Sequence, residues 1–442
     1  MITSTGNIQS PITLLPQELL DRSIDFLHND KPSLFNCMLV SRRWVDASQY
    51  HLYDTKKILL VKDSNAKRVA AFKEYLEDTP HVRHLIRTFS IIRATGRRRC
   101  LVELIELLSI LKNLPRLESF FLDGIELTTV NHFAYVAMAT PLFGIFRLRI
   151  LALNDVAGRE SRATIHGAFM IDFLGLFSEI QTLKLVSSYS QSVWTEMADC
   201  PSLTHLQKKT RVSHLQTWLM CRFAVGPMVL PKAINVNSIK YYSLKVLYPQ
   251  QLQNLGAFLR NPSLNITYLD IDIKDYINWG SHMVTSESWS ALTSCPSIRY
   301  FVVHWKEFGS DVGPSDAEQS TALRSLLSGF APSSLTSLTF CRHGQPPTER
   351  TEGAPKYKGD RSGPLARQSD TLKNLSVQFY QRRNARVASR NQITGETRLL
   401  VQDWLGSLGW LSGFEMRFAE SCSRDVQDGL RMYNRRANVP RV

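Results

Sequence analysis

Apolar residues near the N-terminus of this chain recur at helical spacing. Leu20, Ile24 and Leu27 follow one another at i, i+4 and i+7, which places them on one face of a helix. Leu19 and Phe26 form a second apolar face on the same helix. A module of this size cannot bury both faces against its own helices, so the pattern predicts that one face contacts another protein.

The stretch from Ile12 to Tyr53 is predicted to form three short helices. Pro16 stands where the first helical residue is expected, because its ring fixes a helical φ and its missing N–H costs no bond there. Ser33 is the expected N-cap of the second helix, and Ser41 is the expected N-cap of the third. Trp44 is the large apolar anchor of that third helix.

A different pattern begins farther along the chain and repeats every 31 to 37 residues or so. Each unit has an apolar residue, two other positions, a second apolar residue, one other position and a third apolar residue. Seven units follow this pattern: Leu117-Phe120-Leu122, Leu148-Leu151-Leu153, Ile180-Leu183-Leu185, Ile266-Leu269-Ile271, Ile298-Phe301-Val303, Leu335-Leu338-Phe340 and Leu372-Leu375-Val377.

Helical patterns occur at Ala66 to Glu77 and Leu101 to Leu111, ahead of the first unit, and between two units at Phe169 to Phe177. One strand and one helix per unit predict a solenoid whose units stack to bury their apolar faces. An α/β domain with parallel strands produces the same alternation and stays open as an alternative. The period is lost between residues 200 and 265.

The N-terminal helices resemble an F-box, most closely the F-boxes of large receptor families in mushroom-forming fungi. Three segments carry the resemblance: Leu15-Pro16-Gln17-Glu18-Leu19 at the start, Leu34 with Cys37 and Leu39-Val40-Ser41-Arg42-Arg43-Trp44 in the middle, and His51-Leu52-Tyr53 at the end. Ser23 departs from the pattern, since such helices usually carry a second aliphatic residue there. The repeats behind this segment resemble the irregular leucine-rich repeats that follow F-boxes.

The resemblance implies a substrate-recognition subunit of a cullin-RING ubiquitin ligase of the SCF type. The F-box would dock on a Skp-family adaptor and through it on a cullin, while the repeats would hold a target protein. The residues that it implies for adaptor binding are Leu15, Pro16, Leu19, Leu34, Cys37, Val40 and Trp44.

Residues between the apolar positions of a repeat strand point away from the core, so they are candidates for target binding. The candidates are Phe121, Lys184, Asp270, Asp272 and Tyr300. We therefore expect a curved parallel sheet with outer helices, giving an α+β chain overall in which an α/β leucine-rich-repeat-like solenoid follows the three-helix F-box.

The expected domain organisation has three parts. Residues 1–10 are polar and predicted to be a disordered tail, residues 11–55 form the F-box, and residues 56–442 form the solenoid. Residues 341–370 are rich in Gly, Pro and charge, which predicts a polar insertion between two repeats.

Composition narrows the choice of function. The seven cysteines are scattered and never form a CxxC pair, which argues against a disulfide framework or a zinc module. The sequence shows neither a signal-peptide pattern nor a long uncharged apolar run, so we expect an intracellular protein, cytoplasmic or nuclear, without membrane association. No motif for a nucleophilic, metal or phosphate site occurs, so we expect neither catalysis nor a cofactor.

Two other functions remain open. The first is a protein-binding scaffold that uses the F-box without ubiquitin transfer. The second is nucleic-acid binding, because the formal net charge is +14. The basic clusters are dispersed and lack interleaved aromatic residues, which favours a protein partner over nucleic acid.

Overall fold

The computed structural model describes residues 15–61, 65–94, 99–129, 137–160, 172–187, 209–219, 231, 233–246, 249–261, 263–272, 295, 297–306, 337–343, 374–380 and 416–419. The chain divides into two compact units, Met1–Thr164 and Ile165–Val442. Each unit combines helices with all-parallel sheet, so the expectation of N-terminal helices followed by a parallel sheet is confirmed. The predicted tail at 1–10 lies outside the described residues.

The helices of the first unit are α1 (Gln17–Asp25), α2 (Lys31–Val40), α3 (Arg42–Tyr53), α4 (Asn65–Asp78), α5 (Pro80–Arg83) and α6 (Leu104–Lys112). The three short N-terminal helices and the helix predicted at 66–77 are therefore confirmed. We call α1–α3, together with Leu15 and Pro16 before them, the helical module.

Two of the predicted helix starts were wrong. Pro16 is the N-cap residue of α1 with an extended ψ of 147°, and its carbonyl accepts hydrogen bonds from the amides of Leu19 and Leu20. Helix α2 begins before Ser33, because the Asp30 carboxylate caps it by accepting from the Ser33 amide at 3.2 Å and the Ser33 hydroxyl at 2.7 Å. Ser41 does cap α3, as expected, by accepting from the Arg43 amide.

The strands of the first unit are β1 (Thr55–Leu60), β2 (Thr88–Arg93), β3 (Cys100–Glu103), β4 (Ser119–Asp123), β5 (Ile125–Thr129), β6 (Phe146–Asn154) and β7 (Ala157–Glu160). Strands β1, β2, β4 and β6 pair in that order, all parallel. Phe89, Phe120 and Leu151 stand opposite one another in these strands and are fully buried. Burial of each such side chain contributes about 2–3 kcal/mol.

A second parallel sheet of the first unit joins β3, β5 and β7. The segment predicted as a helix from Leu101 therefore begins as strand β3, and α6 starts only at Leu104. Gly124 makes the turn from β4 to β5 with a φ of +66°, a conformation that disfavours a side chain. Asp155 makes the corresponding turn from β6 to β7, and its buried carboxylate lies 2.9 Å from Arg99.

The strands of the second unit are β8 (Phe177–Ser187), β9 (Thr210–Leu219), β10 (Ile234–Asn235), β11 (Tyr241–Lys245), β12 (Tyr268–Asp272), β13 (Tyr300–Lys306), β14 (Ser337–His343), β15 (Asn374–Tyr380) and β16 (Met416–Ala419), with helix α7 (Pro249–Leu259) between β11 and β12. Strands β8, β9 and β11 to β16 pair in chain order and all parallel, and β10 pairs with β9. Strand β8 begins at Phe177, so the helix predicted to end there stops earlier, at a helical turn over 172–175.

The apolar positions of the repeat occupy the core side of these strands. All fifteen members of the first five predicted units are buried, and equivalent members stand opposite each other, as Leu269 and Phe301 do. Strand β14 extends the pattern, since its backbone places Leu338 opposite Phe301 and continues to His343. Residues 341–343, which were predicted to start the polar insertion, therefore belong to β14, and residues 344–370 lie outside the described part of the chain.

Three further units of the repeat were not predicted from the sequence. Ile86, Phe89 and Ile91 form one of them, and all three are fully buried. The other two lie where the period was lost, and their buried residues are Val212, Leu215 and Thr217 in β9 and Ile239, Tyr242 and Leu244 at β11. The strands of the sheet thus continue through residues 200–265 without a break in their order.

Candidate functional site

The interior of the helical module is built from α1 and α2, which both pack against α3. Leu20 and Ile24 of α1, Leu34 and Cys37 of α2 and Ser48 of α3 are buried. Two of the residues implied for adaptor binding, Leu34 and Cys37, are thus placed in the interior of the module. Trp44 of α3 is partly buried.

The outside of the module carries an unusual amount of apolar side chain. Phe26 is 79% exposed and Leu39 is 73% exposed, and four other large apolar residues are also exposed. We call this set the helical apolar surface: Leu15, Leu19 and Phe26 on or beside α1, and Phe35, Leu39 and Val40 on α2. Where exposed apolar groups of this kind form a contiguous patch on a folded protein, they mark a site of contact with another protein.

The sequence identified only part of this surface. Leu15, Leu19 and Val40 belong to the residues implied for adaptor binding, and Pro16 is exposed beside them. Phe26, Phe35 and Leu39 were not among those residues. The signal that points to them is their spacing, since Phe26 follows Leu19 by two helical turns and Leu39 follows Phe35 by one.

Hydrogen bonds between α1 and α3 fix where this surface begins. The guanidinium of Arg43 donates to the carbonyl of Leu15 at 2.7 Å and to Oε1 of Gln17 at 3.2 Å. Gln17 in turn donates through Nε2 to the carbonyl of Arg43 at 2.9 Å. At the other end of α1, His51 Nε2 lies 2.7 Å from Asp25 Oδ1. The first helix is therefore held at both ends against α3.

The open side of the strands is the second candidate region. Phe121 lies in β4 of the first unit, whereas Lys184, Asp270, Asp272 and Tyr300 lie in the second. Strands β12 and β13 are neighbours, so the structure places Asp270 and Asp272 on the strand next to that of Tyr300, where Asp270 stands opposite Val302 and Asp272 opposite His304. Lys184 is three strands away, in β8.

The structure also places residues on this side that the sequence reasoning missed. His214, Tyr241 and Tyr268 stand in register with the predicted candidate Tyr300 across four neighbouring strands. Each of them directly precedes the central apolar residue of its unit. An aromatic residue at the same position of four consecutive units is therefore the signal that could have found them.

The open side has two groups whose pKa is lowered by burial and two close contacts between charged or aromatic side chains. Burial lowers the pKa of Lys184 to about 8. The pKa of His214 is likewise lowered by burial. Lys245 places its ammonium 3.8 Å from the centre of the Trp218 ring, in a cation–π contact. His304 Nε2 lies 3.2 Å from Asp270 Oδ1.

Within the described residues, no group of three or more His, Cys, Asp or Glu side chains is placed to hold a metal ion. Among the described helices, none is both long and apolar enough to cross a membrane.

Comparison with known protein families finds no match, and no curated protein matches the chain either. The functional assignment therefore depends on the residues and geometry described above.

Proposed function

We propose that the chain is the substrate-recognition subunit of a cullin-RING ubiquitin ligase of the SCF type. In this proposal the helical module is an F-box that docks on a Skp-family adaptor. The sheets behind it belong to a leucine-rich-repeat-like solenoid that holds a target protein. The subunit is not itself an enzyme and needs no cofactor.

The observation that carries the proposal is the helical apolar surface. Its exposed side chains include Leu19 on α1 and Phe35 and Val40 on α2, while other apolar residues of the same helices fill the interior. A partner that covers this surface removes its apolar area from water, at about 25 cal/mol for each Å² buried. The F-box resemblance of the same segment supplies the identity of that partner.

Strand order supports the solenoid part of the proposal. Within each unit the strands of the main sheet pair in the order in which they occur along the chain. A doubly wound α/β domain reverses its strand order at a switch point, and a solenoid does not. The buried repeat positions that face one another from strand to strand are likewise what stacked repeat units require.

The function that follows is one of positioning. A receptor that binds adaptor and target at once makes the transfer of ubiquitin to the target effectively intramolecular. The gain comes from effective concentration, so the receptor needs no side chain at the reacting atoms.

Co-expression with a tagged Skp-family adaptor tests the proposal. The wild-type chain should co-purify with the adaptor, and the double variant Leu15→Ala with Pro16→Ala should not. Ile145→Ala is the matched control, because Ile145 is 57% exposed but lies outside the helical module. Adaptor binding that is unchanged in the double variant would contradict the docking assignment.

Ubiquitin transfer separates the proposal from a non-ligase scaffold. A complex reconstituted with cullin, adaptor and conjugating enzyme should modify a protein captured by the chain. A captured protein that gains no ubiquitin in this complex would favour the scaffold.

A further inference from the structure

The first strand of the main sheet in the first unit has one unpaired side. Strand β1 pairs with β2, and no other described strand pairs with it. The amide of Ala94, which follows β2, donates to the carbonyl of Leu60 at 2.9 Å, so this carbonyl points toward β2. Backbone groups of a strand point alternately to its two sides, so those of Lys57 and Leu59 point outward. We call this outer side of β1, at Lys57 and Leu59, the β1 edge.

Most backbone groups at the β1 edge have no partner. Within the described residues, neither the N–H nor the C=O of Lys57 makes a hydrogen bond across this edge. The carbonyl of Leu59 accepts one from the guanidinium of Arg68 at 2.6 Å. Unpaired donors and acceptors along an edge form a template on which another extended segment can pair. The β1 edge is therefore open to an additional strand centred on Lys57.

The side chains of this edge are also less covered than those of the next strand. Lys57 and Leu59 alternate with the buried residues of β1, and Leu59 is 42% exposed. The residues opposite them on β2 have a strand on either side, and Ser90 there is buried while Ile92 is partly buried. Val61, directly after β1, is also 42% exposed. A strand paired at the β1 edge would cover Leu59 and Val61.

The charged residues at the β1 edge are basic. Lys57 lies on the strand itself, while Lys67 and Arg68 are exposed at the start of α4, from which Arg68 reaches the edge. Within the described residues, none of these three side chains makes an ion pair. Asp123 stands two strands away, where its carboxylate accepts a hydrogen bond from Asn154 at 2.8 Å. The charge at the edge thus favours an acidic segment.

A second copy of β1 does not suit this edge. Two neighbouring lysines, Lys56 and Lys57, stand in the middle of the strand. Antiparallel pairing of two such strands would place the lysines of one copy close to those of the other, and like charges across a strand pair are destabilising. A partner of opposite charge is therefore favoured over self-association.

We infer that the β1 edge binds an extended acidic segment of the target protein, which pairs with β1 as an additional strand. The inference rests on the proposed function, because it takes the target as the partner. Main-chain hydrogen bonds to Lys57 hold the segment, as in other cases of strand addition to a sheet edge. The Lys57 ammonium attracts an acidic side chain of the segment, and Leu59 packs against an apolar one.

The variant Lys57→Pro tests the pairing. It removes the outward N–H of residue 57 and leaves the hydrogen bonds between β1 and β2 in place, because an edge strand tolerates proline where its N–H faces outward. A phage library of random 12-residue peptides is depleted on the purified full-length variant and then selected on the wild type. Enriched peptides should carry a net negative charge and alternating apolar residues.

Synthetic copies of these peptides give the affinities. Lys57→Pro should raise their Kd about tenfold or more, because the complex loses a main-chain hydrogen bond and an attractive charge. Lys57→Gln keeps the backbone and loses only the charge, so it should raise Kd by about twofold to fivefold. Lys240→Gln is the matched control, since Lys240 is an exposed lysine of the second unit, and it should keep the wild-type Kd.

Methylation of the peptide backbone gives an independent measurement. Every second amide of a paired segment faces β1, so methylating one amide at a time should abolish binding at alternate positions and change it little between them. A peptide bound through its side chains alone would show no such alternation.

Four results would overturn the inference. They are no enrichment of peptides, enrichment of basic peptides, methylation effects that do not alternate, and an unchanged Kd for Lys57→Pro while circular dichroism shows that variant to be folded. If Lys57→Pro does not fold, selection on the wild type without depletion, the methylation series and Lys57→Gln decide. Adaptor co-purification on the same wild-type preparation tests the proposed function separately. If the adaptor binds and the peptides do not, the inference fails and the proposed function stands. If the adaptor does not bind, the proposed function fails whatever the peptides show.

Discussion

The hydroxyls of Thr217 and Tyr242 lie 3.2 Å apart in the core of the second unit, and both residues are buried. Each stands at a position where the repeat elsewhere has an aliphatic or phenylalanine side chain. Thr217 is the third residue of its unit and Tyr242 is the second residue of the next. Two polar groups in an apolar core therefore satisfy each other.

This pair predicts a coupled effect on stability. Thr217→Val leaves the Tyr242 hydroxyl without that partner and should lower the free energy of unfolding by about 1–3 kcal/mol. Tyr242→Phe leaves the Thr217 hydroxyl without its partner and should lower the free energy of unfolding by about 1 kcal/mol. The double variant should lose less free energy of unfolding than the two single variants lose in sum, because neither polar group then remains. Urea denaturation of the four proteins measures the coupling.

Losses that simply add in the double variant would contradict this account of the pair. Thr182→Val is a suitable control, since Thr182 is also buried in the second unit but does not contact Tyr242 directly. It should show no coupling with Tyr242→Phe.

Tyr242 also predicts a dependence of stability on pH. Burial raises the pKa of Tyr242 to about 12, whereas an unfolded tyrosine titrates near 10. The folded state therefore keeps its proton where the unfolded state has lost it, so stability is full below pH 10 and declines up to about pH 12. Between pH 9 and pH 11 the free energy of unfolding of the wild type should fall by about 1 kcal/mol more than that of Tyr242→Phe. Equal losses in the two proteins would contradict the raised pKa.

Gly124 and Gly144 form a matched pair for a test of the turn between β4 and β5. Both have positive φ, +66° and +68°, so alanine should strain the backbone at either position by roughly 1–2 kcal/mol. At Gly124 the added Cβ would also lie 2.9 Å from Arg93 Cβ, whereas nothing lies within 4 Å at Gly144. Gly124→Ala should therefore have the lower melting temperature of the two variants. Equal melting temperatures would contradict this prediction, because they would show that the Arg93 side chain moves aside without loss of stability.

Apolar spacing predicted the strands of the repeat where the residues were aliphatic or phenylalanine. Apolar spacing did not predict the strands between residues 200 and 265, because two residues with polar groups, Thr217 and Tyr242, occupy core positions there. Their place in the core is explained only by the hydrogen bond between them. Apolar spacing also missed β3, because the apolar residues of that short strand run directly into α6. Local periodicity cannot separate a strand of four residues from the helix that follows it.

The sequence predicted only part of the candidate site, because the rest depends on how the helices and strands pack. The sequence showed that α1 has two apolar faces, and the structure buries Leu20 and Ile24 while it exposes Leu19 and Phe26. It could not assign Leu34 and Cys37 to the interior, because that depends on how α2 packs on α3. Nor could it place Asp270 opposite Val302, since strand register is a property of the assembled sheet.

The affinity of the purified chain for a purified Skp-family adaptor tests the central claim most directly. Leu19→Asp and Val40→Asp introduce a charge into the helical apolar surface on two different helices, and Ile145→Asp introduces one outside it. Isothermal titration calorimetry should show that each of the first two variants raises Kd by about a hundredfold or more and that Ile145→Asp changes it little. If all three variants bind with the wild-type Kd, or if the wild type does not bind, the helical module is not the docking site for the adaptor.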